Sequence, residues 1–129
     1  MFARTMAAML IAGLSLAACA QGPSQPATTV AATAKGKALA DAKGMTLYTF
    51  DKDAGGKSAC NGQCAVNWPP LAASGGVSGM GDWSVVTRDD GSKQWAYKGK
   101  PLYTFVKDTK PGDVVGDGFN NNVWHIAAP

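Results

Sequence analysis

An internal duplication constrains this chain more than any other feature. The segment Lys43-Gly44-Met45-Thr46-Leu47-Tyr48-Thr49-Phe50-Asp51-Lys52-Asp53 aligns with Lys98-Gly99-Lys100-Pro101-Leu102-Tyr103-Thr104-Phe105-Val106-Lys107-Asp108. The offset is 55, and 8 of 11 positions are identical. Trp68 and Trp124 follow at an offset of 56. Each copy thus runs Lys-Gly, Leu-Tyr-Thr-Phe, Lys-Asp, loop, Trp. Two copies are too few for a solenoid or propeller. The duplication predicts a pseudo-symmetric pair that packs into one core.

Each copy reads as β. Lys-Gly marks a turn, and Leu-Tyr-Thr-Phe has the aromatic and β-branched content of a strand. Alternation puts Tyr48 with Phe50 on one face and Leu47 with Thr49 on the other. Tyr103 with Phe105, and Leu102 with Thr104, follow the same rule. Residues 83–87 and 93–97 flank Asp89-Asp90-Gly91-Ser92, a hairpin signal, and Lys98-Gly99 feeds the second motif strand. Residues 83–106 therefore predict a three-stranded antiparallel meander, and residues 122–127 a closing strand that carries Trp124. All nine acidic residues are Asp, and Gly occurs 16 times. With so few good helix formers, a helical bundle is excluded. The expected fold is all-β: a small antiparallel sheet, sandwich or partly closed barrel built from two related repeats.

The N-terminus reads as a leader. Arg4 precedes an apolar run from Met6 to Ala18, too short to span a bilayer, which takes roughly 20 residues. Its end, Leu16-Ala17-Ala18-Cys19, resembles the bacterial lipobox. The expected organisation is a signal peptide over residues 1–18, a lipidated flexible tether over 19–37 and a β domain over 38–129. Cys19 would carry the lipid, and two or more acyl chains anchor stably where one does not. The predicted location is the cell envelope, lipid-anchored. In a Gram-negative host that means the periplasmic face or the surface of the outer membrane, since Ala20 rather than Asp follows Cys19. The net charge of +3 falls to +2 once Arg4 is removed, too weak and scattered for nucleic acid.

With Cys19 lipidated, Cys60 and Cys64 remain as a pair where disulfides persist. The tight Cys60-Asn61-Gly62-Gln63-Cys64 loop predicts a structural disulfide on a loop or short helical turn. The rival readings are a redox-active pair and a copper or haem site that adds His125, the single histidine, with Met45 or Met80. Asp51-Lys52-Asp53 starts like a calcium loop, but Gly62 stands where a bidentate Glu would complete it. No nucleophile elbow, P-loop or glutamate pair is present, so no enzyme is expected.

The two Tyr-x-Phe-x-x-Asp motifs are Tyr48/Phe50/Asp53 and Tyr103/Phe105/Asp108. They resemble those of a bacterial lipoprotein family with tandem Yx(FWY)xxD motifs, also described as a secreted repeat of unknown function. The stretch Cys60-x3-Cys64-Ala65-x-x-Trp68-Pro69-Pro70-Leu71 and the closing Val123-Trp124-His125 are similar to it as well. The likeness covers about residues 38–127. It implies an envelope lipoprotein and carries over no catalytic residue. Two roles stay open for Tyr48, Phe50, Asp53, Tyr103, Phe105, Asp108, Trp68 and Trp124. They form either a core with Asp-capped turns or a pair of aromatic-plus-carboxylate ligand pockets. The function expected is a non-enzymatic binding or structural module without a cofactor. Its partners would be the membrane, through the lipid, and an envelope protein or small ligand. The alternative is copper or haem handling, or thiol redox, through Cys60, Cys64 and His125.

Overall fold

A computed structural model describes residues 22–129. The expected signal peptide over residues 1–18 and the expected lipidation site Cys19 lie outside the described residues. Seven short strands and two helical turns follow in order: β1 Thr29–Thr33, β2 Gly36–Ala40, β3 Tyr48–Phe50, α1 Gln63–Asn67, β4 Trp83–Thr87, β5 Lys93–Tyr97, β6 Lys100–Pro101, α2 Phe119–Asn122 and β7 Trp124–Ile126. They make three small antiparallel sheets, β1-β2, β3-β7 and β4-β5-β6, and no closed barrel forms among the described residues.

The meander over 83–106 is present, with β6 as its short third strand. The Lys98-Gly99 turn that starts it has φ of 50° and 80°, the pair of left-handed conformations a two-residue hairpin of this hand requires. One boundary needs correction. Residues 29–37, expected in the flexible tether, form β1 and the start of β2, and the hairpin's end is buried at Ala38, Leu39 and Ala40. The chain is held even earlier, because Ser24 N–H donates to Ser78 C=O and Ser78 N–H to Gly22 C=O. An Ala/Thr-rich composition hides these strands, since they bury small side chains rather than large apolar ones.

The copies meet on a local two-fold. Tyr48 N–H donates to Tyr103 C=O at 2.7 Å, and Tyr103 N–H to Tyr48 C=O at 3.0 Å. Each copy's tail then crosses into the other. Ala127, from the second copy, lies between Leu39 and Leu47 of the first (N···O 2.8 Å to each). Leu71, from the first, takes the matching place between Leu102 and Trp95 of the second at 2.9 and 2.8 Å.

Alternation along the motif strands splits the core as the sequence predicts. One side gathers Tyr48, Cys60, Trp68, Tyr103, Phe105 and Trp124, and the other Leu39, Leu47, Leu102 and Ala127. After each motif the loop turns at a glycine, Gly62 or Gly118, into α1 or α2, and each ends at its tryptophan. In α2, Asn120 and Asn121 hold left-handed dihedrals that asparagine tolerates better than most residues.

Packing at Gly116 gives a direct test. A Cβ there would fall 2.7 Å from the Trp68 ring and 3.0 Å from Phe105. Gly116→Ala is expected to lower unfolding stability in urea by about 1–3 kcal/mol, the range for overpacking a filled core. An unchanged midpoint would show that this core yields more easily than its packing implies.

Candidate functional site

The motif residues build the joint between the copies. Tyr48 donates its phenolic proton to Asp108 Oδ2 at 2.6 Å, and Tyr103 donates to Asp53 Oδ2 at 2.7 Å. Each tyrosine is thus paired with the other copy's aspartate. The second oxygen of each carboxylate takes a backbone N–H further along its own loop: Ala59 to Asp53 Oδ1 at 2.6 Å, and Val115 to Asp108 Oδ1 at 3.1 Å. The expected capping role is therefore half of what each Asp does. Burial, and then the hydrogen bond to a carboxylate, pushes both phenols far above the ordinary tyrosine value. For Tyr103, burial is again the largest cause, partly offset by its contact with Ser58. Burial also holds Asp53 and Asp108 above the usual aspartate value.

The four remaining motif aromatics stack in one column, Phe50–Trp124–Trp68–Phe105. Their centroid separations are 4.2, 3.8 and 3.9 Å and no interplanar angle exceeds 11°. Tyr48 meets Trp68 edge-on, and Tyr103 meets Trp124 likewise. Such pairs contribute about 0.5–1.5 kcal/mol each beyond the area they bury. The two tyrosines and two tryptophans are buried and line no open hollow, whereas Phe50 and Asp53 are half-buried and reach the cleft described below.

Around this frame the copies differ. Beside Tyr103, Ser58 donates to its phenolic oxygen at 2.6 Å and accepts from buried Arg88 at 2.9 Å. Arg88 also donates to Gln94 Oε1 at 2.7 Å and Cys60 C=O at 2.6 Å. The chain Asp53–Tyr103–Ser58–Arg88 links a buried cation to a carboxylate through two hydroxyls. The second copy puts Val114 where the first has Ser58. Cys60 and Cys64 form a disulfide, with Cα atoms 5.2 Å apart; Gly116 and Asn120 hold the matching positions.

The alternative metal set is not assembled. Cys60 packs with Trp124, whereas His125, one residue along β7, points away and bonds Asp51 Oδ2 at 2.8 Å. Successive strand residues face opposite ways. Among the described residues no group of three or more His, Cys or Asp side chains is gathered for a metal.

An open cleft lies on the His125 side. Its main hollow, of about 230 Å³, is lined by Thr49, Asp51, Tyr97, Lys98, Lys100 and His125 over an apolar floor of Leu102, Ile126 and Ala127. A second hollow of about 270 Å³ shares Thr49, Asp51 and Lys100 and reaches Asp53, Gly99 and Pro101. The counterpart of the second hollow is occupied in the other copy. There Pro111 lies against Gly44, where an added Cβ would come within 3.2 Å of its ring, and Thr46 donates to Asp113 C=O at 2.7 Å. A one-residue difference in loop length accounts for this. Asp53 bonds the N–H six residues on, and Asp108 the N–H seven residues on. The extra residue carries the 109–113 loop over its cleft, while Gly55-Gly56 leave the first one open.

The cleft residues also diverge. Asp51, Lys100 and His125 correspond to Val106, Met45 and Pro69. Sequence reasoning singled out His125 but missed Asp51, Lys100 and Thr49 as cleft residues, along with Arg88 and Gln94. The signal that could have found most of them is disagreement between the copies. A family model described as a secreted repeat of unknown function matches residues 29–72 and 84–128, once per copy. No curated protein and no solved structure matches.

The buried phenols set the alkaline limit. Their folded pKa values lie above the unfolded value of about 10, so the stability they contribute is present below pH 10 and falls as pH rises beyond it. In a spectrophotometric titration, the phenolates of Tyr48 and Tyr103 should form only together with loss of near-UV circular dichroism. Ionisation of both in a protein that stays folded would contradict their burial.

Proposed function

Because this chain belongs to the family of secreted repeats of unknown function, we propose that it is a lipid-anchored, non-enzymatic binding module of the cell envelope, with the open cleft as its binding site. The observation that carries this reading is the division of labour between the copies. Shared residues, the Tyr–Asp pairs and the aromatic column, build the joint. Asp51, Lys100 and His125, which differ between the copies, line an open cleft beside the shared Thr49 and Lys98. Asp51 and His125 bond each other, and Lys98 and Lys100 form no ion pair among the described residues. These groups do nothing for the core and are free to meet a ligand.

The anchor follows from Cys19 and its lipobox, and among the described residues no helix is long and apolar enough to cross a membrane. Only Ala20 and Gln21, three Cα-to-Cα steps in all, separate Cys19 from Gly22, whose carbonyl is already bonded to Ser78. At 3.8 Å per residue that is at most about 11 Å, so the lipid would hold the body close to the bilayer.

Two measurements test the two parts. Cys19→Ala should move the protein from the membrane to the soluble fraction and remove the acyl mass from its N-terminus. An unlipidated wild-type chain would sink the anchor. A tagged chain should capture its partner from native membranes, and Asp51→Val with Lys100→Met should abolish that capture. Both substitutions install the other copy's residues at equivalent places, so the fold has a precedent for them. Undiminished capture would remove the cleft from the function.

A further inference from the structure

We propose that the open cleft binds a phosphate monoester carrying a compact apolar group; the inference rests on the binding reading above and names its ligand. Charge comes first. Lys98 and Lys100 bring two ammonium groups to the main hollow, and neither has a carboxylate within ion-pair distance among the described residues. Lys98 Nζ lies 5.2 Å from the centroid of the Tyr97 ring. The acidic groups nearby are already engaged: Asp51 with His125 at 2.8 Å, and Asp53 with Tyr103 and the Ala59 N–H. Among the described residues the hollow therefore holds two unpaired ammonium groups beside one carboxylate that His125 already bonds. A phosphate monoester carries about −1.5 to −2 near neutral pH and matches both, where a carboxylate would match one. Ammonium groups bind phosphate as point charges, without the planar fork a carboxylate favours.

Shape comes second. Beneath the charges half-buried Ile126 offers apolar surface, backed by buried Leu102 and Ala127, and Thr49 adds a hydroxyl at the junction with the second hollow. At about 230 Å³ the main hollow is smaller than a site for a drug-sized ligand, roughly 300–1,000 Å³. It suits a small ester or the terminal group of a larger molecule. The other copy supplies an internal contrast. With Met45, Val106 and Pro69 in place of Lys100, Asp51 and His125, it keeps a single lysine, Lys43, as the counterpart of Lys98, and Pro111 lies against Gly44, the counterpart of Gly99.

The test is a titration of the purified chain with phenyl phosphate at constant ionic strength, followed by amide ¹H–¹⁵N spectra. Saturable shifts are expected at Thr49, Lys100 and His125. Lys100→Met should weaken binding by about tenfold, the loss of one charge-assisted contact, whereas Asp51→Val should not weaken it. Inorganic phosphate should bind less tightly because it leaves the floor uncovered. Shifts spread over distant lysines such as Lys35 and Lys37, an unaffected Lys100→Met variant, or equal affinity for inorganic phosphate would each overturn the proposal. Phosphatidylcholine vesicles doped with phosphatidic acid separate the sources. Lys100-dependent co-sedimentation assigns the ester to a lipid headgroup, and its absence assigns it to a soluble molecule. If phenyl phosphate fails while membrane capture still depends on the cleft, the ligand class is wrong and the binding site stands.

Discussion

The exchange of two hydrogen bonds, from each copy's tyrosine to the other copy's aspartate, is the constraint on which the rest of this structure depends. A carboxylate taken partly out of water costs free energy unless its oxygens are satisfied. Asp53 and Asp108 are satisfied only when both copies are in place. The tail crossings of Leu71 and Ala127 impose the same condition on the backbone. Among the described residues no sheet exceeds three strands, and a two-stranded ribbon alone is marginal in water. Joining them across the two-fold gives a small domain one shared core, with the Trp68–Trp124 stack at its centre.

Symmetry in the core leaves the periphery free to differ. The first copy spends its loop on a disulfide and on the Ser58–Arg88–Gln94 network; the second spends its own on an asparagine turn and a proline-bearing loop. One additional residue between Asp108 and Val115 is enough to close one cleft and leave the other open. The differences between the copies within the chain separate residues kept for packing from residues available for another role. They distinguish the buried aromatic motif from the charged cleft.

Much of the fold was legible because it obeys short-range rules. Period-two alternation assigned Tyr48 and Phe50 to one face and Leu47 to the other, and both core clusters follow it. The close cysteine spacing predicted the Cys60–Cys64 pair. Local patterning failed where the partner lies far along the chain. Asp53 was legible as a cap, but its other bond runs 50 residues away to Tyr103. β1 and the first two residues of β2 fall in the expected tether because alanine and threonine carry too little apolar signal to mark a strand. Arg88 reads as an ordinary surface cation until the fold buries it against Cys60 C=O.

By itself, the sequence determined that this protein is a β-rich duplication with a cysteine staple, because repeats, alternation and spacing are properties of neighbouring residues. Only the tertiary structure decided what the motif does and where a ligand has room. Whether an aromatic and a carboxylate point into a core or a pocket depends on what the other copy brings against them. Here the other copy brings a tyrosine to each aspartate and covers one cleft with Pro111. The opposite cleft stays open, lined by Lys98, Lys100 and the Asp51–His125 pair.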